Sequence, residues 1–198
     1  MIRFKDNNDS KPYKKFRYLY TKAKRNKQSH IDAISISSYD KNADFVDSRY
    51  VNLKIIENDE WVFFSNYKSP KALQFKSYNQ ISILFFWESI NVQIRIKAKI
   101  SKITQQKTNS YFEKRSKNKN ALAISSQQSA YIDSYKTVVK NYNYAFKNYD
   151  LSKCPKYWGG YAFKPYYFEF WEGHKFRLNK RTAYEFKNYK WNEKFLQP

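Results

Sequence analysis

The residues best placed to do chemistry lie in the run 154–181, CPKYWGGYAFKPYYFEFWEGHKFRLNKR. All three glycines of the chain, Gly159, Gly160 and Gly173, fall inside it. Glycine permits tight turns and close backbone approach, so conformational freedom is concentrated in one place. Aromatic side chains fill the interval between these glycines, and Arg177 and Arg181 follow. Flat rings beside guanidinium groups suit a planar anionic ligand, because rings stack and guanidinium groups donate in a fixed fork. The same residues would also make an aromatic hairpin that only packs a core, and composition does not separate the two.

Other chemistries find no support in the sequence. His30 and His174 are the only histidines and lie far apart, with no third ligand at metal-binding spacing. No elbow motif carries a Ser-His-Asp arrangement. Glycines so placed write neither a phosphate-cradling loop nor a dinucleotide fingerprint. Cys154 precedes a proline and has only Lys153 and Lys156 as basic neighbours, which reads as an inert thiol. An enzyme built from these parts would take its chemistry from a bound cofactor.

The elements that must position this stretch follow from periodicity. Tyr13, Phe16, Tyr20 and Ala23 recur at helical spacing among lysines, predicting an amphipathic helix over 11–27. Residues 30–38 alternate as a half-buried strand does, and a polar turn at 39–42 follows. Strands are predicted at 49–57 and 61–65 around an Asn58-Asp59 turn, so that three successive strands would form a meander. Ser69 as N-cap and Pro70 at the first position open a helix that runs to Tyr78. Residues 81–87 are a continuous apolar run of strand length. Ile94, Ile96, Ala98 and Ile100 then alternate with Arg95, Lys97 and Lys99, one face dry and one wet. The period turns helical over 104–115 and again over 129–146, with 118–128 as connector. A strand at 161–171 and another through Phe176, Leu178 and Arg181, pivoting on Glu172-Gly173, close the chain. Strands first, helices late and strands again predict a mainly β fold, a small barrel with helices on its outside.

A chain of 198 residues, 41% hydrophobic, is expected to form one domain over 1–198, with a helical segment at 1–28, main strands at 29–103, a helical insertion at 104–150 and final strands at 151–198. The formal charge of +21 would suit a nucleic-acid or membrane-surface binder. The lysines are spread along the chain rather than gathered in a stripe, however, so nucleic acid is not the expected partner and the basic surface is read as one that attracts small anions. A single cysteine fits a reducing compartment, and neither a leader nor an apolar run of about 18 residues is visible, so the expectation is a soluble, cytoplasmic protein with no membrane span.

The run FEFWEGHKFRLNKR, preceded by CPKYWGGY, resembles the C-terminal signature of the pyridoxamine (pyridoxine) 5′-phosphate oxidase family. In that family a Glu-Phe-Trp-x-Gly turn is followed by Arg-Leu-His-Asp-Arg; here the second motif reads Arg177-Leu178-Asn179-Lys180-Arg181. The likeness keeps its order of motifs from the first helix to Pro198. It implies an FMN-binding split β-barrel of antiparallel strands with peripheral helices, and a homodimer with FMN at the subunit interface. The implied reaction is oxidation of pyridoxamine or pyridoxine 5′-phosphate to pyridoxal 5′-phosphate, with O2 as acceptor. Residues 49–54 are similar to the family's Arg-x-Val-x-Leu-Lys, which implies that Arg49 holds FMN and that Lys54 reaches both flavin and substrate phosphate. Phe63-Phe64-Ser65-Asn66, followed by Ser69-Pro70-Lys71, resembles Phe-Tyr-Thr-Asn followed by Ser-Arg-Lys. By that likeness Phe64 and Ser65 line the flavin and Lys71 its phosphate, with Pro70 where an arginine is usual. Gln93, Trp171 and Arg181 match further FMN positions, and Gln128-Ser129 the pair that reaches the phosphate from the other subunit. Tyr111 and Arg115 match substrate-phosphate ligands, with Lys119 and Asn179 where the family has serine and histidine. Arg177 would be the catalytic residue, over the substrate ring. The departures at Pro70, Lys119 and Asn179 keep open an FMN oxidase of another flat substrate, and a flavin binder without this activity.

Overall fold

The computed structural model describes residues 1–5 and 8–198. Among them the chain runs β1 (Arg3–Phe4), α1 (Lys11–Arg25), β2 (Ala33–Asp40), β3 (Phe45–Asn52), β4 (Ile55–Glu57), β5 (Glu60–Asn66), α2 (Pro70–Ser77), β6 (Gln80–Trp87) and β7 (Val92–Lys102). Three helices follow, α3 (Gln105–Glu113), α4 (Lys117–Ser125) and α5 (Tyr135–Asn148), then β8 (Trp158–Glu172), β9 (Lys180–Lys187) and β10 (Lys190–Leu196).

All the strands join one sheet. Pairing runs β1-β4-β5-β8-β7-β6-β2-β3, with β9 paired to β8 and β10 to β9. β8 serves two neighbours along one edge: residues 158–163 pair with β5 and residues 167–172 with β9. The change of partner falls at Pro165, which has no N–H to donate, and beside a bulge where Lys97 faces Tyr167 and Ala98 faces Pro165, leaving Tyr166 unmatched. The expected fold was antiparallel throughout, but β1 pairs with β4 in parallel. A parallel neighbour needs a long crossover, and α1 with β2 and β3 supplies it. The result is a mixed sheet with peripheral helices, whose pairing ends at β1 and β3.

The core sits between one face of this sheet and α1. Ile94, Ile96, Ala98 and Ile100 are buried while Arg95, Lys97 and Lys99 are exposed, as the alternation predicts. α1 buries Tyr13, Phe16, Leu19, Tyr20 and Ala23, and the Phe16 ring meets Trp61 edge-on at 4.5 Å. Each large side chain removed from water this way contributes about 2–3 kcal/mol, which fixes the helix against the sheet. No helix among the described residues is long and apolar enough to cross a membrane.

Several elements differ from the periodicity reading. The predicted strand over 49–57 is broken at Leu53-Lys54, where Leu53 turns wholly inward. The predicted meander is absent, because β5 pairs with β4 and β8 rather than with β3. The connector 118–128 contains α4, which lacks an apolar stripe and buries Asn120 and Ala121 instead; helix 129–146 begins only at Tyr135. After Gly173, Phe176, Arg177 and Leu178 lie in a loop, and the strand starts at Lys180. A tight pivot at Glu172-Gly173 would have paired 161–171 with 174–181; the real pairing sets Glu172 opposite Lys180 and leaves 173–179 outside the ladder.

Candidate active site

A cleft of about 940 Å³ opens between β3, the junction of β5 with α2, and the helices α3 and α4. Arg3, Arg49, Lys54, Lys71, Arg115 and Lys119 line it, and Asp47 is the one carboxylate among its lining residues. Such a hollow favours anions whatever their detail.

At one end stand Arg49 and Lys71. Strand period sends Asp47, Arg49 and Val51 to the half-buried side of β3 and leaves Val46, Ser48 and Tyr50 exposed. The Arg49 guanidinium donates to Ser38 Oγ at 2.6 Å and to Gln74 Oε1 at 2.8 Å, and pairs with Asp47. Lys71 is the second residue of α2, after the N-cap Ser69 and Pro70, and is only 7% exposed. Burial, with Arg49 nearby, brings its pKa down to about 8. Three donors converge on the Gln128 amide oxygen: Lys71 Nζ at 3.1 Å, Ser65 Oγ at 3.0 Å and the Asn66 backbone N–H at 3.3 Å. An acceptor position ringed by an ammonium, a hydroxyl and an amide at a helix N-terminus is what a phosphate oxygen requires, so these residues fit the phosphate end of FMN. Gln128, which the resemblance assigns to the neighbouring subunit's site, makes these bonds within its own chain. Asn66 Nδ2 donates to Ser126 O at 3.2 Å and draws the end of α4 across α2. Ser129 beside it has φ 68°, left-handed for a residue with a Cβ.

At the other end are flat groups. The Tyr111 ring lies on Phe64 at 3.6 Å and 7°, and Phe64 lies on Trp158 at 5.2 Å and 8°. The Arg115 guanidinium sits 4.4 Å over Trp158 and donates to Asn120 Oδ1 at 3.1 Å. Asn120 in turn donates to Phe112 O and Leu151 O, which locks α3, α4 and the chain before β8 together. The helix predicted over 104–115 would have held Arg115, but α3 ends at Glu113 and Arg115 lies in the turn into α4. That turn is what lays its plane on the indole. Burial raises the Tyr111 phenol and lowers Arg115, each partly offset by the other. Lys119 is exposed at the rim. Lys54 reaches the cleft through the break after β3; continuous strand parity would have sent it to the face opposite Arg49. Its Nζ pairs with Asp32 at 2.6 Å. Burial raises the Asp32 carboxyl, but its bond and charge contact with Lys54 outweigh this and hold it below the ordinary carboxylate range.

The structure thus brings Arg49, Lys54, Phe64, Ser65, Lys71, Tyr111, Arg115, Lys119, Gln128 and Ser129 into one cleft. Gln93, Trp171, Arg177, Asn179 and Arg181 lie outside it. Gln93, Trp171 and Arg181 form one row across β7, β8 and β9, on the face away from the core. Arg181 is held by Glu169, 2.7 Å from Nη2, and by Gln197 O at 2.8 Å from Nη1. Arg177 is exposed with φ 61°, and the Asn179 amide oxygen accepts the His174 N–H at 3.0 Å, closing the loop on itself. Sequence reading missed Asp32, Asp47, Ser38, Gln74 and Trp158. Asp47 alone carried a signal, since two residues apart on a strand is the same side.

Residues 21–147 match the family profile described as pyridoxamine 5′-phosphate oxidase, and residues 158–198 match the pyridoxine 5′-phosphate oxidase C-terminal dimerisation region. A pyridoxine/pyridoxamine 5′-phosphate oxidase of Aliarcobacter butzleri is 35% identical over 195 residues, covering 96% of this chain and 91% of that one. One from Hydrogenovibrio crunogenus is 32% identical over 175 residues, 88% of this chain and 81% of its own. Among solved structures, PhzG from Burkholderia lata superimposes with a TM-score of 0.88 at 20% identity, covering 98% of this chain and 95% of that one. An FMN-binding protein from Nostoc punctiforme gives 0.77 at 13% identity, covering 94% and 98%. The profile spans most of the chain and the relatives nearly all of it, so the chain belongs to the pyridoxamine/pyridoxine 5′-phosphate oxidase family, with its FMN-binding split-barrel-like fold.

Proposed function

We infer that this chain is an FMN-dependent oxidase that converts pyridoxamine or pyridoxine 5′-phosphate to pyridoxal 5′-phosphate. The observation that carries this reading is a single cleft that holds two groups of cations, Arg49 with Lys71 and Arg115 with Lys119, together with a stack of flat rings. Two phosphorylated flat molecules need such a plan. A bound FMN would supply the two-electron acceptor, with O2 as the terminal acceptor, reduced to hydrogen peroxide. Arg49, Lys71, Ser65, Gln128 and Ser129 hold the cofactor phosphate, and Phe64 borders its ring. Lys54, Tyr111, Arg115 and Lys119 take the substrate phosphate. The protein's part is positioning and neutralising two anions in one cationic cleft.

Gln93, Trp171, Arg177, Asn179 and Arg181 belong to the site as well, supplied by a second copy of the chain in a homodimer. The match of residues 158–198 to a dimerisation region supports this, as does the half-buried row of Gln93, Trp171 and Arg181 away from the cleft. The test is an absorption spectrum of the purified protein, followed by anaerobic addition of pyridoxamine 5′-phosphate. Bleaching of a flavin band supports the oxidase; a yellow protein that does not bleach refutes this substrate.

One observation favours a second reading, an oxidase of another flat substrate. Asn179 stands where the family has histidine, and its amide oxygen is used inside its own loop. The fold neighbour PhzG was solved with tetrahydrophenazine-1-carboxylic acid, a carboxylate rather than a phosphate. Peroxide release with pyridoxamine 5′-phosphate separates the two.

A further inference from the structure

Asp47 lies two residues before Arg49 on β3, so the strand's period of two puts both side chains on one side. Its carboxylate pairs with Arg49 Nη2, and the same guanidinium also donates to Ser38 Oγ at 2.6 Å and Gln74 Oε1 at 2.8 Å. The three partners differ in freedom. Ser38 and Gln74 are buried at 2% and 1% exposure, whereas the Asp47 side chain is 45% exposed at the cleft wall. Arg49 would therefore keep its orientation if the Asp47 contact were lost, since two buried neutral acceptors still hold it. A phosphate approaching Arg49 meets a carboxylate already in place, and two anions close together on one guanidinium repel.

We propose that Asp47 is the internal counter-ion of the Arg49 anion subsite, displaced by an incoming phosphate group, and that it weakens the site's preference for phosphorylated over unphosphorylated flavins. Naming the ligand as FMN rests on the function inferred above; the displacement itself does not. Asp32 plays a different part. It is mostly buried and holds Lys54 from behind, so it positions a cation rather than competing for it.

The test uses the apoprotein as wild type, Asp47→Asn and Asp47→Ala, titrated with FMN and with riboflavin by flavin fluorescence. In parallel, melting temperatures are taken against inorganic phosphate. Removing one like charge beside an anion is expected to lower the Kd for FMN by about tenfold in Asp47→Asn while leaving riboflavin unchanged. The phosphate-induced rise in melting temperature should exceed that of wild type. Unchanged or weaker FMN binding overturns the proposal, and so does an equal gain for both flavins, which would mean a merely loosened cleft. If the wild type binds neither flavin, the FMN reading fails and the phosphate series decides alone: a larger shift in Asp47→Asn supports the counter-ion, an equal or smaller one overturns it. The isosteric asparagine keeps the test readable if Asp47→Ala does not fold.

Discussion

Lys71 ties the site to pH. It is buried beside Arg49 at the start of α2, and its pKa falls to about 8 from 10.5. Only the ammonium form attracts a phosphate, so FMN affinity should be full below pH 8 and decline as pH rises through it, by up to about tenfold per pH unit. Flavin fluorescence titrations across that range check this, and Lys71→Gln should flatten the curve. Stability moves the other way. Between about 8 and 10.5 the unfolded chain holds the Lys71 proton that the folded chain has released, so stability contributed by this group rises with pH in that window. Urea midpoints of the apoprotein at several pH values would show it. Arg115 makes a second case. Arg115→Lys keeps the charge but loses the plane lying 4.4 Å over Trp158. The KM for pyridoxamine 5′-phosphate should rise about five- to tenfold with FMN affinity unchanged, since ammonium cannot stack or donate in a fork. The types of both residues were legible in the sequence. Their partners were not: Asp32 is distant in sequence from Lys54, as Ser38 and Gln74 are from Arg49, and only the fold joins them.

Among the elements, β8 shows what glycine is for in this chain. No glycine has positive φ; Gly159 instead leaves room for a neighbour, since an added Cβ would lie 2.2 Å from Tyr67 Oη. Tyr67 is pinned there by its hydrogen bond to Gly160 O at 3.1 Å and by Lys102 over its ring at 4.1 Å. Gly159→Ala should therefore cost about 1–3 kcal/mol by overpacking, read from denaturant midpoints. The turn joining β9 to β10 errs the opposite way, with Asn188 and Tyr189 both left-handed at φ 50° and 62°. That geometry suits the tight hairpin turn but strains a tyrosine, so Tyr189→Gly should raise stability by about 1 kcal/mol in the same assay. The alternation in β7 was readable because one face is dry and the other wet. The break at Leu53-Lys54 and the helix α4 were not, because each is decided by contacts remote in sequence, and the loop 173–179 was not, because side-chain bonds within it rather than a stripe shape it.

For the whole molecule, the division of site residues between the cleft and a row outside it makes a prediction about assembly. If two copies share each site, Arg49→Ala and Trp171→Ala homodimers should both be impaired. Unfolding and refolding the two variants together should restore about a quarter of wild-type activity, because half the dimers are mixed and one of their two sites is intact. No recovery on mixing would place all the chemistry within one chain. By itself the sequence determined which face of β7 is dry, where α1 and α2 begin, and that flat and cationic side chains gather in one stretch, because these are local properties of residue type and spacing. Only the tertiary structure decided that Arg49 is already paired with Asp47, that Lys54 turns into the cleft at a strand break, and that Arg115 rests on Trp158. Counter-ions and stacking partners are chosen by proximity in space, and a one-dimensional pattern carries no term for it.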